Sequence, residues 1–259
     1  MHSREIGCGR EATVYVADRT TRVRVGGSCK HLAVRVPRVK TPMSRYTLLL
    51  CAMPLHANVV RIHEADAATG QMVLEYVGGG TLADELVCCV ISPMRAVAVI
   101  AQVLRAVAHM HAHGFVHGDV SPSNVLVDHA RGECKLTDYF AEKPRCGAPA
   151  YMAPEAARGE GVQASDVWSV GCLMLAVTGR PPWSDAESML EDGSFVELRS
   201  PCALLYHLAC RTIAVRGPPE FSACADPCGR LFFDVLASVF EPPERRVCAR
   251  KLLAQNKWC

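Results

Sequence analysis

Two aspartates and an asparagine stand in an order that permits phosphoryl transfer. His117-Gly118-Asp119-Val120-Ser121-Pro122-Ser123-Asn124 sets Asp119 and Asn124 five residues apart, and Leu136-Thr137-Asp138-Tyr139-Phe140 brings a second aspartate. The chemistry calls for such a set: one carboxylate orients a hydroxyl nucleophile, while an asparagine and an aspartate hold magnesium against the phosphates. Asp and Asn also cap turns in loops, their commonest use, but capping explains the residue types and not their order. Upstream, Ile6-Gly7-Cys8-Gly9-Arg10-Glu11-Ala12-Thr13-Val14 lies between two expected strands. In that setting a glycine-rich hairpin brings backbone N–H groups close to phosphates, although two nearby glycines alone are an ordinary turn.

The elements that must position these groups fall into two halves. Short β-type runs, Arg4 to Cys8, Thr13 to Asp18, His31 to Val36, Val59 to His63 and Met72 to Glu75, are separated by Gly, Thr and Pro. One helix, Met43 to Met53, interrupts them. Beyond Gly78-Gly79-Gly80 the period changes: Pro93 to His113 places Val97, Ile100, Ala101, Leu104, Val107, Ala108 and His111 on one helical face. Helices over Ala164 to Thr178, Pro201 to Val215, Gly229 to Phe240 and Arg246 to Asn256 complete a mainly helical half.

Bulk properties narrow the function classes. Half of the 259 residues are hydrophobic, enough for a large core, and the formal net charge of +2 is spread along the chain, which makes no case for nucleic acid or an anionic membrane. No run of about eighteen apolar residues predicts a membrane span. The start Met-His-Ser-Arg-Glu is followed by no apolar signal-like stretch, so the fourteen cysteines are expected reduced, in the cytosol or nucleus. Cys224-Ala-Asp-Pro-Cys228 lacks a second pair at zinc-site spacing.

Taken jointly, the motifs resemble the eukaryotic-type protein kinase family, of Ser/Thr type, over nearly the whole chain. After the glycine-rich loop, Ala33-Val34-Arg35-Val36 is similar to the strand that carries the family's ATP-binding lysine, and His56-Ala57-Asn58-Val59-Val60 to the segment before its fourth strand. Leu74-Glu75-Tyr76-Val77-Gly78-Gly79-Gly80-Thr81-Leu82 resembles the hinge between lobes. Tyr151-Met152-Ala153-Pro154-Glu155 looks like the end of the activation segment, and Asp166-Val167-Trp168-Ser169-Val170-Gly171 like the start of the buried central helix. The loop Asp119 to Leu126 and the step Asp138-Tyr139 are most similar to herpesvirus-encoded kinases.

The resemblance implies an α+β, two-lobed fold forming one domain over residues 1–259, with an antiparallel N-lobe to about 76, a hinge near 75–81 and a helical C-lobe. It implies ATP and Mg2+ as cofactors and protein substrates as partners. Asp119 would be the base, and Asn124 and Asp138 the metal ligands. Gly7, Gly9, Val14, Ala33, Arg35, Leu74, Glu75 and Val77 would surround the nucleotide. Glu241-Pro242-Pro243-Glu244-Arg245 implies an ion pair from Arg245 to Glu155.

Several positions depart from the family pattern. Arg35 stands where lysine is expected, and a guanidinium is planar and bulkier than an ammonium, though it binds phosphate well. Lys30 and Lys40 flank that strand out of its inward register. The helical glutamate that pairs with the lysine falls at Thr47. Ala12 replaces the third glycine, Phe140 the glycine after the metal aspartate, Ser121 the catalytic-loop lysine, and Gly118 an arginine that receives an activation-segment phosphate. Residues 141–150 contain no Ser, Thr or Tyr, so activity is expected not to be switched by phosphorylation there. Three functions follow: an active Ser/Thr kinase, favoured by Asp119, Asn124 and Asp138 together; a pseudokinase scaffold, favoured by Arg35, Thr47, Ser121 and Phe140; and a small-molecule phosphotransferase, opposed by the Ala153-Pro154-Glu155 and Asp166-Val167-Trp168 segments. Pro122 disfavours tyrosine specificity.

Overall fold

β-branched and apolar residues in short runs form the early strands, and along β5 buried Met72 and Leu74 alternate with the less buried Val73 and Glu75. The computed structural model describes residues 4–8, 12–17, 32–40, 42–139, 148–179, 182–183, 187–189, 195–197, 201–210, 227–255 and 258. The chain divides between Gly78 and Gly79 into two units. In the first, β1 (Arg4–Cys8), β2 (Ala12–Val16), β3 (Leu32–Pro37), β4 (Ile62–Ala65) and β5 (Met72–Glu75) form a five-stranded antiparallel sheet in the order β1-β2-β3-β5-β4. The fourth strand starts later than Val59. His56 Nδ1 accepts the Asn58 N–H at 3.1 Å in a turn, and Val59 and Val60 are buried ahead of the strand. Helix α1 (Arg45–Cys51) is shorter than its apolar pattern because Ser44 caps it, its hydroxyl accepting the Thr47 N–H at 3.2 Å.

The second unit is mainly helical. Helix α2 (Leu82–Cys88) starts from a capping box in which Thr81 and Asp84 satisfy each other's backbone N–H groups. Helix α3 (Pro93–Ala112) has Ser92 as N-cap and Pro93 in its first turn, and ends at Gly114, whose φ of 81° suits a glycine. A hairpin of β6 (Val125–Asp128) and β7 (Glu133–Leu136) follows, then α4 (Pro154–Ala157) and α5 (Gln163–Val177). Residues 165–177 of α5 are buried on every side, as expected of an apolar helix at the centre of a bundle. A second hairpin, like the first absent from the sequence reading, β8 (Glu187–Met189) with β9 (Phe195–Glu197), precedes α6 (Pro201–Ala209), α7 (Pro227–Val239) and α8 (Ala249–Gln255). Residues 211–215, expected to extend α6, lie outside the described residues. A Cβ on Gly171 would lie 2.6 Å from Val239 Cγ2, so this glycine allows α5 to pack closely on the end of α7.

Gly79 belongs to the second unit, where a Cβ would overlap the Val127 carbonyl oxygen and sit 3.0 Å from the His129 ring, while the neighbouring Gly80 carbonyl accepts the Val127 N–H at 2.9 Å. The obstacle is backbone, which cannot swing aside. Gly79→Ala is expected to lower the unfolding free energy by about 1–3 kcal/mol, read as a fall in the urea midpoint.

Candidate functional site

The β6–β7 hairpin brings the metal-type residues together. Val125 pairs with Leu136, so Asn124 just before β6 faces Thr137 just after β7, and the Thr137 N–H closes the pair on the Asn124 carbonyl at 2.9 Å. Asp138 follows with φ 58°, a left-handed conformation that costs a non-glycine residue about 1–3 kcal/mol and persists where its surroundings fix it. The hairpin turn is local chemistry: Asp128 Oδ1 accepts the N–H groups of Ala130 and Arg131, and Gly132 has φ 68°.

Asp119 sits within this frame with both carboxylate oxygens engaged. Oδ1 accepts the Ala148 N–H at 2.9 Å and Oδ2 accepts Asn124 Nδ2 at 2.8 Å; the same Nδ2 also donates to the Asp119 carbonyl at 2.8 Å. Burial raises the Asp119 carboxyl above its usual value, against the Ala148 amide, the His117 ring and the Asn124 amide, and Asp138 adds to the rise. Because Nδ2 serves Asp119, the Asn124 Oδ1 is the donor left for a cation. With the Asp138 carboxylate it would offer two hard oxygens of the kind magnesium takes, completed in such sites by phosphate and water. Among the described residues no group of three or more His, Cys, Asp or Glu side chains is placed to hold a metal.

Beneath the loop, His117 is buried and accepts the Asp119 N–H through Nδ1 at 3.1 Å, which leaves Nε2–H to donate to the Thr137 carbonyl at 3.0 Å. One imidazole therefore ties the residue before Asp138 to Asp119. The buried Asp166 carboxylate accepts the N–H groups of His117 and Gly118, each at 2.8 Å, and contacts His111 Nε2 at 2.8 Å. Asp166 joins α5, the end of α3 and the Asp119 loop.

In the first unit Gly7, Val14, Ala33, Arg35 and Leu74, five of the residues assigned to the nucleotide, share one sheet face. Gly7 pairs with Val14, Val14 with Arg35, and Ala33 with Leu74, and in antiparallel pairs opposed side chains point the same way. Ala33 and Leu74 are buried and Arg35 is half-buried, opposite Met72 on its other side. Glu75 ends β5, its carboxylate accepting the Arg61 N–H at 3.3 Å, and Val77 lies half-buried beyond the strand. Gly9 and Phe140 lie outside the described residues, as does Lys30; Lys40 is exposed past the end of β3.

The model of the family described as "Protein kinase domain" matches residues 1–255. The chain belongs to the protein kinase domain family. The kinase domain's sheet-built first unit and helical second unit are the two halves of that two-lobed fold. It is similar to mitogen-activated protein kinase kinase kinase 17 of Arabidopsis thaliana, 39% identical over 129 residues that cover 45% of this chain and 34% of the relative. Serine/threonine-protein kinase chk-2 of Caenorhabditis elegans is 33% identical over 181 residues, covering 62% and 37%. MAP kinase kinase kinase win1 of Schizosaccharomyces pombe is 27% identical over 307 residues, covering 96% and 19%. The chain matches about a third of the length of the first relatives, 34%, 29% and 37%.

One expectation is corrected. The partner of Glu155 is Arg246, not Arg245. The Pro242 carbonyl accepts the N–H groups of both arginines at 2.9 Å, forming a turn that aims Arg246 inward and leaves Arg245 exposed. Arg246 donates Nη1 to Glu155 Oε1 and Nη2 to Oε2 at 3.4 Å, and its guanidinium stacks 5.1 Å from the Trp168 ring. It was invisible in advance because Arg245-Arg246 offers two equivalent candidates. Asp166 was read only as a helix-start marker; a charge inside an apolar run was the signal that it needed partners. The Ala148 amide had no signal, since a backbone donor carries no side chain.

The structure also places the departures from the family pattern. Thr47, at the position of the expected glutamate, is buried and its hydroxyl lies 3.2 Å from Ser44 Oγ. Ser121, within the Asp119 loop, is buried.

Proposed function

We propose that this kinase domain transfers the ATP γ-phosphoryl group to serine or threonine hydroxyls of protein substrates. Asp119 takes the hydroxyl proton as the new O–P bond forms, and ADP leaves with the bridging oxygen of the broken bond. Asn124 and Asp138 would hold magnesium, which when bound supplies positive charge to offset the phosphates. Arg35 contacts phosphate oxygens, and Gly7, Gly9, Val14, Ala33, Leu74, Glu75 and Val77 surround the nucleotide. The supporting observation is the Val125–Leu136 register, which gathers Asn124 beside Asp138 while the Asn124 amide holds the Asp119 carboxylate.

A second reading, a pseudokinase that binds or scaffolds, is favoured by Thr47 buried against Ser44 where the lysine's partner belongs. An intracellular setting, cytosol or nucleus, is part of this proposal and rests on the sequence expectation of reduced thiols; among the described residues no helix is long and apolar enough to cross a membrane. The likeness to herpesvirus-encoded kinases rests on the Asp119 to Leu126 loop and Asp138-Tyr139 alone; the relatives named above come from plant, worm and yeast.

Radiolabelled transfer from Mg-ATP to a generic basic protein decides between the readings. Wild type is expected to label the acceptor, Asp138→Ala to fall to background, and Arg35→Ala to lose roughly 10²-fold if arginine does the work of a lysine. Wild-type labelling no higher than that of Asp138→Ala sinks the kinase reading and favours the pseudokinase.

A further inference from the structure

The backbone of the short strip from Ala148 to Tyr151 is gripped at three points by groups outside it. The Ala148 N–H donates to Asp119 Oδ1 at 2.9 Å, the Trp183 indole Nε1–H donates to the Ala150 carbonyl at 3.2 Å, and the Ser169 hydroxyl donates to the Tyr151 carbonyl at 2.7 Å. Ser169 has one proton and a second acceptor in reach, the Ser165 carbonyl at 3.1 Å; the shorter contact takes it.

Trp183 is the unusual member. Its φ of 62° places a bulky side chain in the left-handed region, where only surroundings that over-determine the conformation keep it. Its ring packs with Ala150 and Ala157 against Leu204 and Leu208 of α6, and the same geometry aims the indole N–H at the strip.

The strip touches the proposed base directly, so a peptide that brings a hydroxyl to Asp119 must pass along it. Residues 141–150 hold no side chain that accepts a phosphate, so no modification inside that stretch can supply the order. We infer that Trp183 is a positioning residue: with Ser169 and the Asp119 carboxylate, its indole N–H clamps Ala148–Tyr151 against the base and docks the acceptor platform through hydrogen bonds to backbone, without a phosphate. The effect on rate rests on the kinase reading; the clamp itself does not.

Trp183→Phe keeps an aromatic ring and deletes the donor. It is expected to raise the KM for a protein acceptor and lower kcat by roughly two- to tenfold, leave the KM for ATP unchanged, and speed hydrogen exchange at the Ala148 amide. Ser169→Ala, acting on the adjacent carbonyl from a different element, should reproduce the pattern, and decides the matter if Trp183→Phe fails to fold. Ala148 exchange equal to wild type in the folded variant overturns the inference. If wild type transfers no phosphate, the kinase reading falls while the exchange comparison still decides the clamp: faster exchange upholds it, equal exchange overturns it.

Discussion

Asp119→Asn is expected to reduce phosphoryl transfer by roughly 10²- to 10⁴-fold, the usual contribution of a positioned general base. The substitution separates two roles of one carboxylate. An amide cannot accept the proton, but its oxygen still receives the Ala148 N–H, so that contact survives. The other side fails, because a new NH₂ group would face Asn124 Nδ2, donor against donor. Stability should therefore fall by about 1.5–3 kcal/mol, the scale of a hydrogen bond to a charged group. Steady-state labelling and a thermal melt read the two effects independently. Activity within tenfold of wild type would remove Asp119 as the base.

Arg246→Ala should carry the largest stability cost, about 3–5 kcal/mol, because it strands a buried Glu155 carboxylate. In a chain of this size that is a fall in melting temperature on the order of 10 °C. Arg245→Ala, removing an exposed side chain one position away, should stay within about 0.5 kcal/mol. Equal effects from the two would refute the pairing. Burial works against ionisation of Glu155, but the Arg246 hydrogen bonds and charge, with the Ser165 hydroxyl, hold its carboxyl below the usual glutamate value. A carboxyl with a depressed folded pKa binds its proton more readily when unfolded. Its contribution is thus full above the ordinary glutamate pKa and is lost as pH falls through the lowered one. Acid melts should show wild type losing stability in that range and Arg246→Ala losing less.

Much of this arrangement could be read in the sequence, and the exceptions have physical causes. Short β-type runs between Gly, Thr and Pro located the strands of the first unit, and a 3.6-residue apolar period located the long helix α3, because turn chemistry and a covered stripe are written into residue order. Boundaries moved where a cap or turn overruled hydrophobicity, as Ser44 did for α1 and the His56 turn did for Val59 and Val60. The clustering of Asn124 with Thr137–Asp138 depends on the β6–β7 hairpin between them, which the reading of a mainly helical half did not contain. Choosing Arg246 over Arg245 needed the turn at Pro242, which composition cannot orient. The Ala148 and Trp183 contacts were beyond reach because one uses a backbone donor and the other depends on a left-handed tryptophan.

The three contacts converging on Asp166 have a consequence for how the protein is born. His117 and Gly118 precede their carboxylate partner by 49 and 48 residues, so during synthesis the Asp119 loop leaves the ribosome before the residue that shapes it exists. At roughly 5–20 residues per second, the loop waits on the order of seconds for Asp166, and longer for α5 to become available for packing. A nascent or truncated chain ending before α5 would hold Asp119, Asn124 and Asp138 without this carboxylate to order their loop, so competence for transfer should arrive late and abruptly as translation proceeds.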